Sequence, residues 1–363
     1  MTNRRSFLTA LGAGYAMANH SWAQSRPTAR DAGASRNSQL FFTAGTQYGQ
    51  VQGMANAGIK EFKGIPYGAP TSGKNRYMPP KKPAAWTGVR ECLAYGQISP
   101  QTIASPASDY GQLIQWDLHY GTGMGEDVLT LNIWTPGIKD SGKRAVLVSF
   151  HGGGFATGSG NGPQYDGLQL ARLADVVVVN VNHRLASFGY LHLADLGAPP
   201  EFTHAGVVGM MDLVASLEWV RDNIENFGGD PAKVMIFGQS GGGAKTSTML
   251  AIPSAKGLFH SAGIQSGSTI RSATREQATK SAELLLAKLG ISKGNIADIQ
   301  KVPWQQILEV QTSLGGSAAF TPVVDGEILP HHPFDPAAPE MGRVVAVPQV
   351  GGLQHRYERQ SAA

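Results

Sequence analysis

The stretch Val234-Met235-Ile236-Phe237-Gly238-Gln239-Ser240-Gly241-Gly242-Gly243-Ala244 decides how the chain reads. Its first four residues form a short apolar run with β-branched members, which predicts a buried strand. Glycine follows at once, and the residues after Ser240 are all small. A strand that turns directly into a helix forces the residue at the corner into a strained backbone conformation and thrusts its side chain outward. Glycines two positions to either side remove the Cβ atoms that would clash there. Gly238-Gln239-Ser240-Gly241-Gly242 therefore predicts a nucleophile elbow, with Ser240 as the attacking residue.

Working outward, Ala145-Val146-Leu147-Val148-Ser149-Phe150 and Val176 to Val181 give two more buried strands. A helix is expected from about Gly206 to Asn226, with Val207, Met211, Val214, Leu217, Trp219 and Val220 on its apolar face. Phe227-Gly228-Gly229-Asp230-Pro231 closes it with glycine and proline. Strand, helix and strand with short joins predict a parallel sheet flanked by helices, an α/β architecture. In such sheets ligands lie beyond the carboxyl ends of the strands. The second glycine cluster, His151-Gly152-Gly153-Gly154-Phe155, occupies such an end, directly after Phe150. Held backbone N–H groups there can stabilise the charge that develops on a carbonyl oxygen under attack. Gly153, Gly154 and the amide of Gly241 are the expected oxyanion hole. Gly238 to Thr246 also comes near a phosphate-binding loop. That motif needs lysine immediately after its last glycine, and Ala244 displaces Lys245 and Thr246 by about 100° of helix rotation.

The chain has 363 residues, 42% of them hydrophobic and 15% charged, with 46 glycines and 21 prolines, a globular composition. Two of the charges behind the formal +4 are Arg4 and Arg5, within a segment expected to be removed. Thr2-Asn3-Arg4-Arg5-Ser6-Phe7-Leu8, the modest apolar stretch to Met17 and Ser21-Trp22-Ala23 read as a twin-arginine export signal over 1–23. The expected destination is the periplasm or the exterior of a bacterium. Residues 24–37 are polar, without apolar period, and read as a disordered linker. No basic patch interleaved with aromatics points to nucleic acid, and no apolar run reaches the ~20 residues of a membrane span. Cys92 is the only cysteine, so an internal disulfide is excluded.

These motifs resemble those of the type B carboxylesterases, the family of bacterial para-nitrobenzyl esterases and animal cholinesterases. The resemblance runs from about Gln50 to Gly351. It includes Phe62-Lys63-Gly64-Ile65-Pro66-Tyr67-Gly68-Ala69-Pro70, Arg76-Tyr77-Met78-Pro79-Pro80 and the run from Glu126 to Pro136. It continues through Asn182-His183-Arg184-Leu185, Asn226 to Pro231, the elbow, Gln265-Ser266-Gly267-Ser268 and Pro322-Val323-Val324-Asp325-Gly326. It implies an α/β-hydrolase domain over 38–351 and hydrolysis of small-molecule carboxylic esters through an acyl-Ser240 intermediate, without metal or cofactor. The family's elbow usually reads Gly-Glu-Ser-Ala-Gly, so Gln239 and Gly241 are departures. The family's disulfide has no counterpart here, since its cysteines would fall near Ser99 and Val128.

In this fold the orienting acid and the general-base histidine follow the serine in chain order. The family's acid lies just after the segment resembling Val345-Ala346-Val347-Pro348, and its histidine lies several strands later. Residues 352–363 match neither, so the catalytic acid and histidine are expected to be absent from this chain, along with the last strands and helices. A frameshift near Gly352 is the expected cause, and sequencing the coding DNA beyond Ala363 checks it. Of the ten histidines, His20 lies in the signal and His151 and His183 read as structural loop residues. His119, His192, His204 and His260 have no spacing that marks a base. His331 and His332 read as solvated, and His355 lies near Glu358 in the unmatched tail. The alternative to an esterase is an inactive fragment or a non-enzymatic binding protein of esterase descent.

Overall fold

The computed structural model describes residues 39–114, 123–314, 319–338 and 343–347. The expected export signal, linker and unmatched tail lie outside these residues. The fold described here belongs to the unit that begins at Leu40.

Among the described residues, ten strands form one sheet: β1 (Phe41–Thr46), β2 (Gly49–Asn56), β3 (Ile59–Pro66), β4 (Val89–Glu91), β5 (Thr130–Thr135), β6 (Arg144–Phe150), β7 (Val177–Val181), β8 (Gly229–Gln239), β9 (Ser261–Gln265) and β10 (Arg343–Val347). Their order is β1-β2-β3-β5-β7-β6-β8-β9-β10, with β4 beside β2. From β1 to β7 the neighbours pair antiparallel. From β7 through β6, β8 and β9 to β10 they pair parallel. The three apolar runs are thus β7, β6 and β8, adjacent at the centre of the sheet. All five residues of β7 are buried, as continuous apolar character requires of a strand covered on both faces. β8 begins earlier than its apolar run because Gly229 pairs with Arg144 before the register shifts. Pro231 is tolerated close to the strand start.

The helix between β7 and β8 spans Val208–Asn223 and passes into a 3-10 turn, Ile224–Phe227. It is buried well beyond the expected stripe, Val208, Met210 and Leu213 included. It packs on β8, on the helix that follows the elbow and on the short helix Ala186–Gly189. Phe227 seals its end, meeting Phe62 of β3 edge to face at 5.1 Å.

Several quoted motif residues meet as buried pairs. Arg76 clasps Glu126 in two hydrogen bonds, Nε to Oε1 at 2.7 Å and Nη2 to Oε2 at 2.6 Å. Arg184 clasps Asp212 of the long helix in the same bidentate way, at 2.8 and 2.5 Å. Asn182 reaches Asn161 at 2.8 Å, and Asn132 reaches the same oxygen at 3.2 Å. These contacts fix the loops at the carboxyl ends of the central strands, where the candidate site lies. No helix among the described residues is long and apolar enough to cross a membrane.

Candidate active site

β8 ends at Gln239, the helix Gly241–Met249 begins two residues later, and Ser240 forms the corner with φ 54° and ψ −118°. A non-glycine residue held there stores strain of order 1–3 kcal/mol. The corner is fixed from both sides. The Ser240 amide donates to Gln265 O at 2.9 Å, and its carbonyl accepts from the Ala244 amide at 3.0 Å. The side chain is exposed. The need for small residues is concrete at two positions. A Cβ on Gly242 would stand 2.1 Å from Phe150 O, at the end of β6. One on Gly241 would stand 2.1 Å from the Gly154 nitrogen. The alanine usual at position 241 in the family would require the glycine turn to lie farther from the elbow.

The glycine turn after β6 has its peptide planes held in sequence. In a trans peptide the carbonyl and the following N–H point in opposite directions. The His151 carbonyl accepts from Lys245 Nζ at 2.8 Å, while the Gly152 amide donates to Tyr165 Oη at 2.6 Å. The Gly152 carbonyl lies 2.8 Å from His151 Nδ1, which must carry its proton to donate there. The Gly153 carbonyl accepts from the Thr157 amide at 3.0 Å. The planes that carry the Gly153 and Gly154 amides are therefore held by their carbonyl ends, with the N–H groups turned the other way. Among the described residues no acceptor meets either amide. Gly241 is the first residue of its helix, where an amide has no intrahelical acceptor and the dipole is positive. Ser240, Gly153, Gly154 and Gly241 are thus gathered at one end of the sheet by contact between the elbow and the turn.

Beneath the turn lies a buried basic cluster. His151 stacks on His183 with centroids 5.0 Å apart, and Lys245 is fully buried beside them. Burial first, and the neighbouring Lys245 second, hold both imidazoles well below the ordinary histidine range. Both are neutral in the folded protein, while the unfolded chain protonates them below about pH 6.5. The unfolded state then binds more protons, so the contribution of these two histidines to stability is complete above pH 6.5 and declines as pH falls below it. Each histidine contributes up to about 1.4 kcal/mol per pH unit. The urea midpoint should therefore fall from pH 7 to pH 5, and a flat profile would contradict the neutral pair.

Among the described residues, four further histidines are engaged elsewhere, while His20 and His119 lie outside them. His192 Nε2 lies 2.8 Å from Asp195, and His204 Nδ1 lies 3.4 Å from Asp325. His260 Nδ1 accepts from the Val234 amide at 3.2 Å. His332, expected to be solvated, is half-buried, and its Nδ1 accepts from the Ser272 amide at 3.2 Å. Packing of its proline-flanked loop against the segment after β9 accounts for the difference. Among the described residues, the hydrogen bonds of Ser240 are those of its backbone. His355 and Glu358 lie outside the described residues. Lys245 has its amine turned inward to a carbonyl, so it is not offered to a phosphate. Sequence reasoning missed Tyr165 and Lys245 as supports of the turn. A lysine inside a run of small buried residues was the one available signal.

The model of the carboxylesterase family matches residues 42–357. The chain belongs to the carboxylesterase family. It is 37% identical to the para-nitrobenzyl esterase of Bacillus subtilis (strain 168), over 79% of this chain and 58% of that protein. It is 35% identical to the phenmedipham hydrolase of Pseudarthrobacter oxydans, over 80% of this chain and 58% of that one. The crystal structure of the Geobacillus stearothermophilus carboxylesterase EST55 superposes with a TM-score of 0.71 at 40% identity. That superposition covers 80% of this chain and 57% of the other. The sheet is that of the α/β-hydrolase fold, and the chain spans somewhat over half the length of these relatives.

Proposed function

We propose that the protein is a serine hydrolase that cleaves carboxylic esters through an acyl-Ser240 intermediate. The observation that carries the proposal is the strained, exposed Ser240 at the head of a helix, beside a turn whose His151, Gly152 and Gly153 carbonyls are held by the protein. Ser240 Oγ attacks the ester carbonyl carbon, and the oxyanion that forms is received by the amides of Gly153, Gly154 and Gly241. This step needs a general base to take the hydroxyl proton and return it to the departing alcohol. Among the described residues no side chain bonds Ser240, so the base is the histidine expected to be absent from this chain. Water then attacks the acyl-serine and releases the acid. Membership of the carboxylesterase family and likeness to a para-nitrobenzyl esterase and a phenmedipham hydrolase support this chemistry.

The test is hydrolysis of p-nitrophenyl acetate and butyrate by the purified chain, with Ser240→Ala assayed beside it. Release of nitrophenol that falls to the buffer rate in the variant is the expected result. Equal rates at the buffer level would mean that this chain is the inactive fragment of the alternative reading, whereas enzymatic turnover unchanged in the variant would overturn the assignment of Ser240.

A further inference from the structure

Lys245 stands out because a lysine is almost never fully buried without a partner of opposite charge. Here the whole side chain is inside the protein, and its amine donates to the main-chain carbonyl of His151 at 2.8 Å. It also lies 3.5 Å from His151 Nδ1. Burial pulls the amine well below the ordinary lysine range, so the residue is held in a setting that opposes its charge.

The placement suggests what it does. Lys245 lies four residues after Gly241, one helical turn away on the same face, and helix side chains lean toward the N-terminus. The helix therefore touches the glycine turn twice. Lys245 meets the carbonyl that opens the turn, and Gly241 meets the nitrogen of Gly154 farther along it. Ser240 sits at the head of the same helix. A single rigid element thus carries the nucleophile and holds the first peptide plane of the turn. Tyr165 holds that plane from its other end.

We propose that Lys245 is a positioning residue for the oxyanion donors, tying the elbow helix to the glycine turn so that the Gly153 and Gly154 amides keep a fixed reach from Ser240. This rests on the esterase reading of Ser240, but the tie itself can be measured without turnover. In Lys245→Met the volume is kept and the donor removed. A lost oxyanion donor lowers kcat by roughly 10²–10³-fold. A donor that is only loosened should lower kcat less, on the order of 10-fold or more, with KM little changed. The Gly152, Ala156 and Thr157 amides, bonded in the intact turn, should exchange their hydrogens faster, while amides of the long helix Val208–Asn223 keep their protection. Lys245→Gln, which retains an N–H donor, should recover part of both effects.

A folded Lys245→Met protein with unchanged exchange in the turn and unchanged kcat would overturn the proposal. So would equal losses in the methionine and glutamine variants, which would mark Lys245 as packing alone. If the wild type shows no Ser240-dependent hydrolysis, this chain is inactive by itself and kcat cannot be read. The exchange rates then decide the tie separately, faster exchange upholding it and unchanged exchange refuting it.

Discussion

Asp212→Ala should destabilise the fold by about 3–5 kcal/mol, the usual consequence of stripping one partner from a buried ion pair. Asp212 is 0% exposed and Arg184 only 2%. The carboxylate accepts from Arg184 Nε and Nη2 and from the Arg184 amide, at 2.8, 2.5 and 3.1 Å. The remaining arm, Nη1, donates to Met78 O at 2.7 Å. Removing the carboxylate leaves a guanidinium with one acceptor and no route to water. A protein of this kind has about 5–15 kcal/mol in all, so urea denaturation should show the midpoint displaced by a large fraction. Replacing both partners together, Asp212→Leu with Arg184→Met, should be milder, because no uncompensated charge remains. The damage should also reach the site. Arg184 follows His183, whose ring stacks on His151, and His151 holds the Gly152 carbonyl. A loss below about 1 kcal/mol would mean that the pair is worth no more than an ion pair on the surface.

That pair also marks the limit of what the sequence discloses. β6, β7 and β8 are legible because strands covered on both faces read as unbroken apolar runs, with glycines closing two of them. The elbow is legible for a related reason, since a strand-to-helix corner tolerates few residue types. β1, β2 and β3 are not, because they lie toward one edge of the sheet. Stretches such as Gly49–Asn56, only two of whose residues are buried, leave weak alternation. The partners Arg184 and Asp212 are 28 residues apart, and Arg76 and Glu126 are 50 apart. No local period links such residues, and only the folded loops bring them together. In the site, Ser240 and the glycine turn follow from their motif. The supports beneath the turn do not, because Tyr165 comes from a separate 3-10 turn and Lys245 violates the ordinary rule that lysines face water. Where the chain departs from the family elbow, the structure supplies a meaning. Gly241 lets the turn lie against the helix at a distance an alanine methyl would forbid.

Ser240→Gly should melt higher than Ser240→Ala, although both variants lack the hydroxyl on which turnover depends. The two substitutions remove the same hydroxyl, so they separate its chemistry from the backbone beneath it. Alanine keeps a Cβ and therefore keeps the strain of φ 54° and ψ −118°. Glycine adopts such angles without steric penalty. Strain at a site of this kind amounts to about 1–3 kcal/mol. Against that gain stands the greater freedom of glycine in the unfolded chain, about 0.4–1 kcal/mol. The net expectation is that the glycine variant is more stable by roughly 1 kcal/mol, read as a shift in urea midpoint at unchanged slope. The alanine variant should stay near the wild type, since Ser240 is exposed and its side chain contributes little to the core. A stability gain confined to glycine would locate the stored energy in the corner itself, spent on presenting Oγ outward beside the amides of the turn. If instead the two variants melt together, the surrounding contacts hold the corner without strain, and the Gln265 and Ala244 hydrogen bonds alone account for its shape.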